Sequence, residues 1–135
     1  GGAEKLRDYF SCPVMMHEQD AFLYRRPVDR LLRDGDELDL DGETLRVYHT
    51  PGHTRGSICI LSEKSKVVFT GDTIFDTDLG RTDLPDGSPR DMIRSCRDVI
   101  NKWSNAYTIY PGHDGSATMK QVRQYNQEFL DCLGK

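Results

Sequence analysis

The amino-acid sequence predicts an α/β fold, a mixed sheet with helices packed on it. Two runs, 58–61 and 67–70, are almost entirely apolar, which is typical of strands covered on both faces. Two later stretches, 88–103 and 118–131, repeat apolar residues every three or four positions, as amphipathic helices do. Several strand-like runs lead into glycine followed by histidine or aspartate, and ligands usually bind at strand ends in α/β folds. The pattern therefore predicts a functional site at one edge of the sheet.

Length and composition limit the class of protein and its partners. The 135 residues suit one domain, and 36% hydrophobic with 30% charged residues is typical of a soluble globular chain. No apolar run approaches the roughly 20 residues that a membrane helix needs. A formal charge of −4 disfavours nucleic acid, because phosphate binding needs a basic face. We therefore expect neither a membrane nor a nucleic-acid partner.

The cysteines indicate the compartment. All four are widely spaced and no C-x-x-C pair occurs, so neither a zinc knuckle nor a redox motif is indicated. Cys59 falls inside an apolar strand-like run, which predicts a small core residue. We expect a cytoplasmic protein with free thiols.

The first elements in chain order are a helix over 3–10 and a strand over 12–16. The helix is indicated by apolar residues that share one face at three- and four-residue spacing. His17 is expected to open the loop that follows the strand, and we expect it to bind no metal.

Two hairpins are predicted next. Residues 37–40 alternate in period two, Asp41-Gly42 is a hairpin signal, and 44–50 is the return strand. Residues 57–61 and 67–70 form the second pair, joined by a polar turn.

A long loop and two helices complete the prediction. Loops as long as 73–87 with little structure of their own are often functional. Ser88 is expected to cap the first helix, and Ser116 or Thr118 the last, which should end near residue 131. A short strand, 107–110, lies between them. The expected inner faces are Met92, Ile93, Cys96, Val99, Ile100 and Trp103 in the first helix, and Met119, Val122, Tyr125 and Phe129 in the last.

Three strand ends carry candidate metal ligands. His53 and His113 each follow a Pro-Gly pair after a strand-like run, and Asp72 follows Gly71 at the end of another. Proline fixes φ and glycine permits an unusual turn, so each pair can aim the next side chain off the sheet edge. Two imidazoles and one carboxylate are good ligands for a borderline divalent metal such as zinc. His49 lacks this context and is expected to be structural.

These motifs together resemble a known family. The similarity is to the metallo-β-lactamase superfamily, and within it most to the glyoxalase II-like (hydroxyacylglutathione hydrolase-like) branch. It runs over nearly the whole chain. The stretches that carry it are Thr50 to Ser57, Phe69 to Phe75, Gly80 to Pro85 and Tyr110 to His113.

The resemblance implies an αβ/βα sandwich with two metal ions at one edge of its paired sheets. It makes His53 a ligand of the first ion, Asp72 the catalytic bridge between both, and His113 a ligand of the second. A hydroxide held between the ions would attack a small-molecule thioester or ester. Zinc is expected, although the same ligands accept iron or manganese. Arg81 is expected either to face the substrate carboxylate or to pin its own loop through Asp76 or Asp83.

One departure from the family sets further expectations. Its first ligand motif, His-x-His-x-Asp-His, does not occur here, and Gly1-Gly2-Ala3 matches the residues that follow it in relatives. We therefore expect residues 1–135 to be a single partial domain, the second half of the sandwich, with weak zinc binding, poor hydrolysis and self-association through the face left open. The alternatives are a non-catalytic truncated chain that acts through assembly or partner binding, and a dioxygenase or flavin-linked oxidoreductase that uses the same ligands.

Overall fold

The computed structural model describes residues 15–17, 30–40, 42–113 and 115–134. The predicted helix over 3–10 and most of the first predicted strand lie outside these ranges. β1 (Met15–His17) pairs in parallel with β2 (Arg30–Leu32) in a two-stranded sheet. His17 is therefore the last residue of a strand, and the prediction that it opens a loop is wrong by one position.

A six-stranded mixed sheet forms the main part of the described structure, which confirms the predicted α/β class. Its strands lie in chain order, and every neighbouring pair is antiparallel except β6 and β7, which are parallel. Both predicted hairpins are present. The strands are β3 (Glu37–Leu40), β4 (Glu43–His49), β5 (Ile58–Ser62), β6 (Val67–Gly71), β7 (Thr108–Pro111) and β8 (Ala117–Thr118).

The strand directions bring three loops to one edge. β4 and β6 are both antiparallel to β5, so they run in the same direction, and β7 is parallel to β6. The loops that leave the carboxyl ends of β4, β6 and β7 therefore start at the same edge of the sheet. These loops contain His53, Asp72 and His113.

The first described helix, α1 (Pro89–Asp98), begins as its sequence predicts. The side chain of Ser88 accepts a hydrogen bond from the backbone nitrogen of Asp91, and a short 3₁₀ helix (Ile100–Lys102) follows. The helix packs through Met92 and Cys96, which are buried. Ile93, predicted on the same face, is 42% exposed, so this part of the predicted stripe is wrong.

The last predicted helix is two helices. α2 (Met119–Tyr125) starts with a capping box at Thr118, and α3 (Gln127–Cys132) starts after Asn126, whose side chain accepts from the backbone nitrogen of Phe129. Tyr125, the last residue before the break, is predicted to face inward but is 68% exposed, and the neighbouring Asn126 is buried instead.

The core lies between the sheet and these helices. Val68 and Ile109 of the central parallel strands and Phe129 of α3 are fully buried there. Cys59 is also fully buried, and this burial raises the pKa of its thiol to about 12, as suits a small core residue. No helix in the described part of the chain is long and apolar enough to cross a membrane.

Candidate metal centre

The structure brings the three predicted ligand side chains together at the sheet edge. Nε2 of His53 lies 3.8 Å from Oδ2 of Asp72, and Nδ1 of His113 lies 3.2 Å from Oδ1 of Asp72. Each carboxylate oxygen therefore faces a different imidazole. The side chains of His53, Asp72 and His113 are 22%, 41% and 55% exposed, so a small molecule can reach all three from solvent.

A backbone hydrogen bond sets the tautomer of His53. Its Nδ1 lies 2.9 Å from the carbonyl oxygen of Arg81. Because a carbonyl oxygen can only accept, Nδ1 carries the hydrogen and donates it. In the neutral ring Nε2 is then left with a lone pair that faces Asp72. This is the arrangement that metal-binding histidines adopt in proteins.

Helix α1 holds the Pro51-Gly52-His53 turn in place. Ser88 donates its backbone N–H to the carbonyl of Gly52 at 2.8 Å, and the hydroxyl of Ser95 donates to the carbonyl of Pro51 at 2.7 Å. Gly52 has φ +149, and a Cβ there would lie 2.7 Å from Cα of Met92. Glycine is required by this close approach of the turn to the helix.

Glycines also surround Asp72. Gly71, the last residue of β6, has φ +52, and its carbonyl accepts from the backbone N–H of Gly112 at 2.8 Å. That bond joins the ends of β6 and β7. A Cβ at Gly80 would overlap the carbonyl oxygen of Asp72 and lie 3.1 Å from Cβ of His53. Gly80 lies in one of the motifs that carry the family resemblance, but no sequence pattern marks it as a site residue.

The ring of Phe75 supports His113. The two ring centroids are 4.6 Å apart, and Phe75 is buried. Asn126, which is fully buried, donates from Nδ2 to the carbonyl of Phe75 at 2.9 Å and to that of Asp78 at 3.0 Å. Asn126 thus anchors the loop that carries the supporting ring. No sequence signal assigned it this role, because the carbonyls that it contacts lie far away along the chain.

The sequence left open whether Arg81 faces a substrate carboxylate or contacts an aspartate of its own loop, and the loop contact is present. Its Nε and Nη2 donate to the two carboxylate oxygens of Asp83, both at 2.8 Å. The predicted pinning of the loop through Asp83 is thus present, and Asp76 instead accepts from the backbone nitrogen of Thr77. A role for Arg81 toward a substrate remains a prediction.

The Arg81–Asp83 pair gives a measurable pH signature. The hydrogen bonds from Arg81 lower the pKa of Asp83 from 3.8 to about 2. Because the folded-state pKa is lowered, the pair is intact above pH 4 and is lost as the pH falls through about 2. We expect an NMR carboxyl titration to show this low midpoint, and Arg81→Gln to return it toward 3.8. A midpoint near 3.8 in the unaltered chain would contradict the pairing.

The donor set suits a site shared by two metal ions. Two imidazoles and a carboxylate are ligands of borderline divalent metals, and Asp72 offers one oxygen to each side. Within the described ranges, no three His, Cys, Asp or Glu side chains are grouped closely enough to hold one ion. Asp72, with one imidazole on each side, therefore fits part of a two-metal site, and the described side chains do not complete the ligand shell of either ion.

Comparison with known proteins identifies the class. A model of the metallo-β-lactamase superfamily, which comprises metal-dependent hydrolases, matches residues 1–113. The chain belongs to this superfamily, and the resemblance found in its motifs is confirmed.

Individual relatives refine this placement. The chain is 38% identical over 154 residues to an uncharacterised protein of Mycobacterium leprae, with 97% of this chain and 70% of the relative covered. It is 31% identical over 144 residues to hydroxyacylglutathione hydrolase GloC of Haemophilus influenzae, with 93% of this chain and 68% of the relative covered.

Solved structures show the same fold. BLEG-1 B3 metallo-β-lactamase superposes with a TM-score of 0.79 at 28% identity, over 90% of this chain and 67% of that one. TTHA1623 in a di-iron-bound form superposes with a TM-score of 0.74 at 26% identity, over 93% and 69%. The metal reported for the second structure shows that at least one protein of this fold binds two iron ions.

Proposed function

We propose that this chain carries part of the two-metal site of a glyoxalase II-like hydrolase that cleaves small-molecule thioesters or esters. The observation that carries the proposal is the position of Asp72, whose two carboxylate oxygens face His53 and His113 separately. The similarity to a hydroxyacylglutathione hydrolase supports the substrate class.

Each of the three residues has a role in this proposal. His53 would bind one ion through Nε2, because its Nδ1 is occupied by the carbonyl of Arg81. His113 would bind the other ion, with its ring kept in place by Phe75. Asp72 would join the two ions. When bound, the ions would supply Lewis-acid activation of a water molecule and of the substrate carbonyl.

Arg81 is the proposed contact for a substrate carboxylate. Its guanidinium is 62% exposed and paired with Asp83, which is 68% exposed. Because both side chains are open to solvent, a carboxylate on the substrate can exchange with Asp83, and the guanidinium would then orient the substrate at the sheet edge.

The test is hydrolysis of a glutathione thioester and of a matched oxygen ester by the zinc-loaded chain. We expect slow turnover that a chelator abolishes and that Asp72→Asn lowers by about 100-fold, since loss of the bridge removes transition-state stabilisation of the order of 3 kcal/mol. Asp131→Asn, on the exposed surface of α3, is the matched control and should retain the unaltered rate. Turnover that does not need metal, or that survives Asp72→Asn, would overturn the proposal.

Several further parts of the proposal rest on the sequence. We propose zinc as the metal, a cytoplasmic location, and a single partial domain over residues 1–135 that carries only part of the metal site. Self-association through an uncovered sheet face, and the alternative of a non-catalytic chain that acts through partner binding, stay predictions. Metal analysis of the purified chain tests the choice of zinc, and light scattering tests self-association.

A further inference from the structure

A second concave site lies away from the candidate metal centre. It is a cavity of about 840 Å³ on the helix-covered side of the sheet, within the range of small-molecule sites in proteins. Its walls come from β4, from the turn between β5 and β6, and from the residues that follow α1. We call it the distal cavity.

The distal cavity lies at the opposite end of the strands from His53. The β5–β6 turn, which contributes Lys64 and Lys66, is at the edge where β4 begins, whereas the metal-site loops leave the edge where β4 ends. Helix α1 starts beside the Gly52 turn and reaches the cavity at its last residue, Asp98. Ten helical residues span about 15 Å, so one ligand of modest size does not fill both sites.

Aromatic rings form one part of the cavity lining. Tyr48 and Trp103 pack edge to face with ring centroids 6.4 Å apart, and Trp103 is 4% exposed. Tyr107 lines the cavity as well, and Nζ of Lys66 lies 5.1 Å from its ring centroid. Trp103 is thus covered and packs behind Tyr48, whereas the half-buried rings of Tyr48 and Tyr107 offer flat apolar surface on which a planar ligand can stack.

Positive charge surrounds the rings. Four cationic side chains line the cavity against two anionic ones, Glu63 and Asp98, although the whole chain carries a formal charge of −4. Arg46 is already paired with Glu37 at 3.1 Å. The other cations in the lining are Lys64 and Lys102, together with Lys66, whose Nζ lies over the Tyr107 ring.

Lys66 has an unusual backbone conformation. Among non-glycine residues in the described ranges, it alone has a positive φ, of 57°. Its carbonyl accepts from the backbone nitrogen of Thr108 at 3.0 Å, which fixes the turn to the start of β7. The left-handed conformation is uncommon for a residue with a Cβ and here holds a lysine over an aromatic ring.

We propose that the distal cavity binds a nucleotide, with its planar base against the rings of Tyr48 and Tyr107 and its phosphates on the lysines. Aromatic faces with neighbouring cations match the two chemical halves of such a ligand. A purely apolar ligand would leave the lysines without a role, and an inorganic anion would leave the rings without one. Binding requires no metal and no contact with Asp72.

Calorimetric titration of the chain with ADP, in the presence of a chelator, tests the proposal. We expect saturable binding, with adenosine and pyrophosphate each binding at least tenfold more weakly because each keeps only half of the contacts. Lys66→Gln combined with Lys102→Gln should weaken ADP binding by at least tenfold, since charge-assisted hydrogen bonds are lost. The matched control is Lys120→Gln on the exposed face of α2, which should leave binding unchanged.

Two further variants separate the distal cavity from the candidate metal centre. His113→Ala should leave ADP binding intact while it lowers hydrolysis, so the nucleotide proposal and the hydrolase proposal can fail independently. Tyr107→Leu should weaken ADP and adenosine binding more than it weakens pyrophosphate binding, because the ring contacts the base directly and the phosphates only through Lys66. Absence of ADP binding, insensitivity to the paired lysine variant, or loss of binding in His113→Ala would each overturn the assignment.

Discussion

Gly80→Ala is expected to disassemble the candidate metal centre. Any Cβ at this position overlaps the carbonyl oxygen of Asp72 and presses on Cβ of His53, and the first of these contacts is with backbone that cannot rotate away. The loop must therefore shift, and with it the Arg81 carbonyl that holds the ring of His53. Overpacking of this kind costs about 1–3 kcal/mol of folding free energy. A ligand displaced by about 1 Å typically costs of the order of 100-fold in activity.

The matched control for Gly80→Ala is Gly115→Ala. Gly115 lies just beyond His113, has no positive φ, and nothing lies within 4 Å of a Cβ built there. We expect thermal denaturation and zinc titration to show loss of stability and of metal affinity in Gly80→Ala alone. A Gly80→Ala chain with unaltered zinc affinity would show that the approach of this loop to Asp72 does not shape the site.

Asn126→Ala is expected to cause a large loss of stability. The change removes two donated hydrogen bonds, to the carbonyls of Phe75 and Asp78, and the cap of α3 at Phe129. At about 1 kcal/mol for each bond and about 1 kcal/mol for the cap, the free energy of unfolding should fall by roughly 3 kcal/mol. For a domain of this size the melting temperature should fall by roughly 10 °C.

A second substitution separates the cap from the loop anchor. Asn126→Ser keeps a capping oxygen but does not reach the loop carbonyls, so it should recover about 1 kcal/mol of the loss. Both variants should alter the NMR signals of the His113 ring, because its neighbour Phe75 is no longer anchored. The control is Gln124→Ala, on the exposed side of α2. Unchanged His113 signals in both Asn126 variants would refute the anchoring role while leaving the stability effect explained.

Features set by neighbouring residues were predictable from the sequence. Period-two alternation and Asp41-Gly42 predicted the first hairpin, and Ser88 with Pro89 predicted the start of α1. The grouping of the three candidate ligands was predictable for a similar reason. Each follows a glycine at the end of a strand, and strand ends that share a direction share an edge.

Features set by distant residues were not predictable. The break between α2 and α3 depends on Asn126, whose acceptors in the Phe75 loop lie 51 and 48 positions away along the chain. The heptad-like spacing of apolar residues continues through that break, which is why Tyr125 was placed on the wrong face. The choice of Asp83 over Asp76 by Arg81 likewise depends on loop geometry that spacing does not encode.

Zinc titration of the isotope-labelled chain, followed through the ring nitrogens of its histidines, tests the metal assignment most directly. We expect the signals of His53 and His113 to shift together as zinc is added, and Asp72→Asn to weaken both responses. His49 is an internal reference, because its Nε2 already donates to the carbonyl of Arg55 at 2.6 Å. If the rings of His53 and His113 stay unperturbed at saturating zinc, or if only His49 responds, this sheet edge is not a metal site.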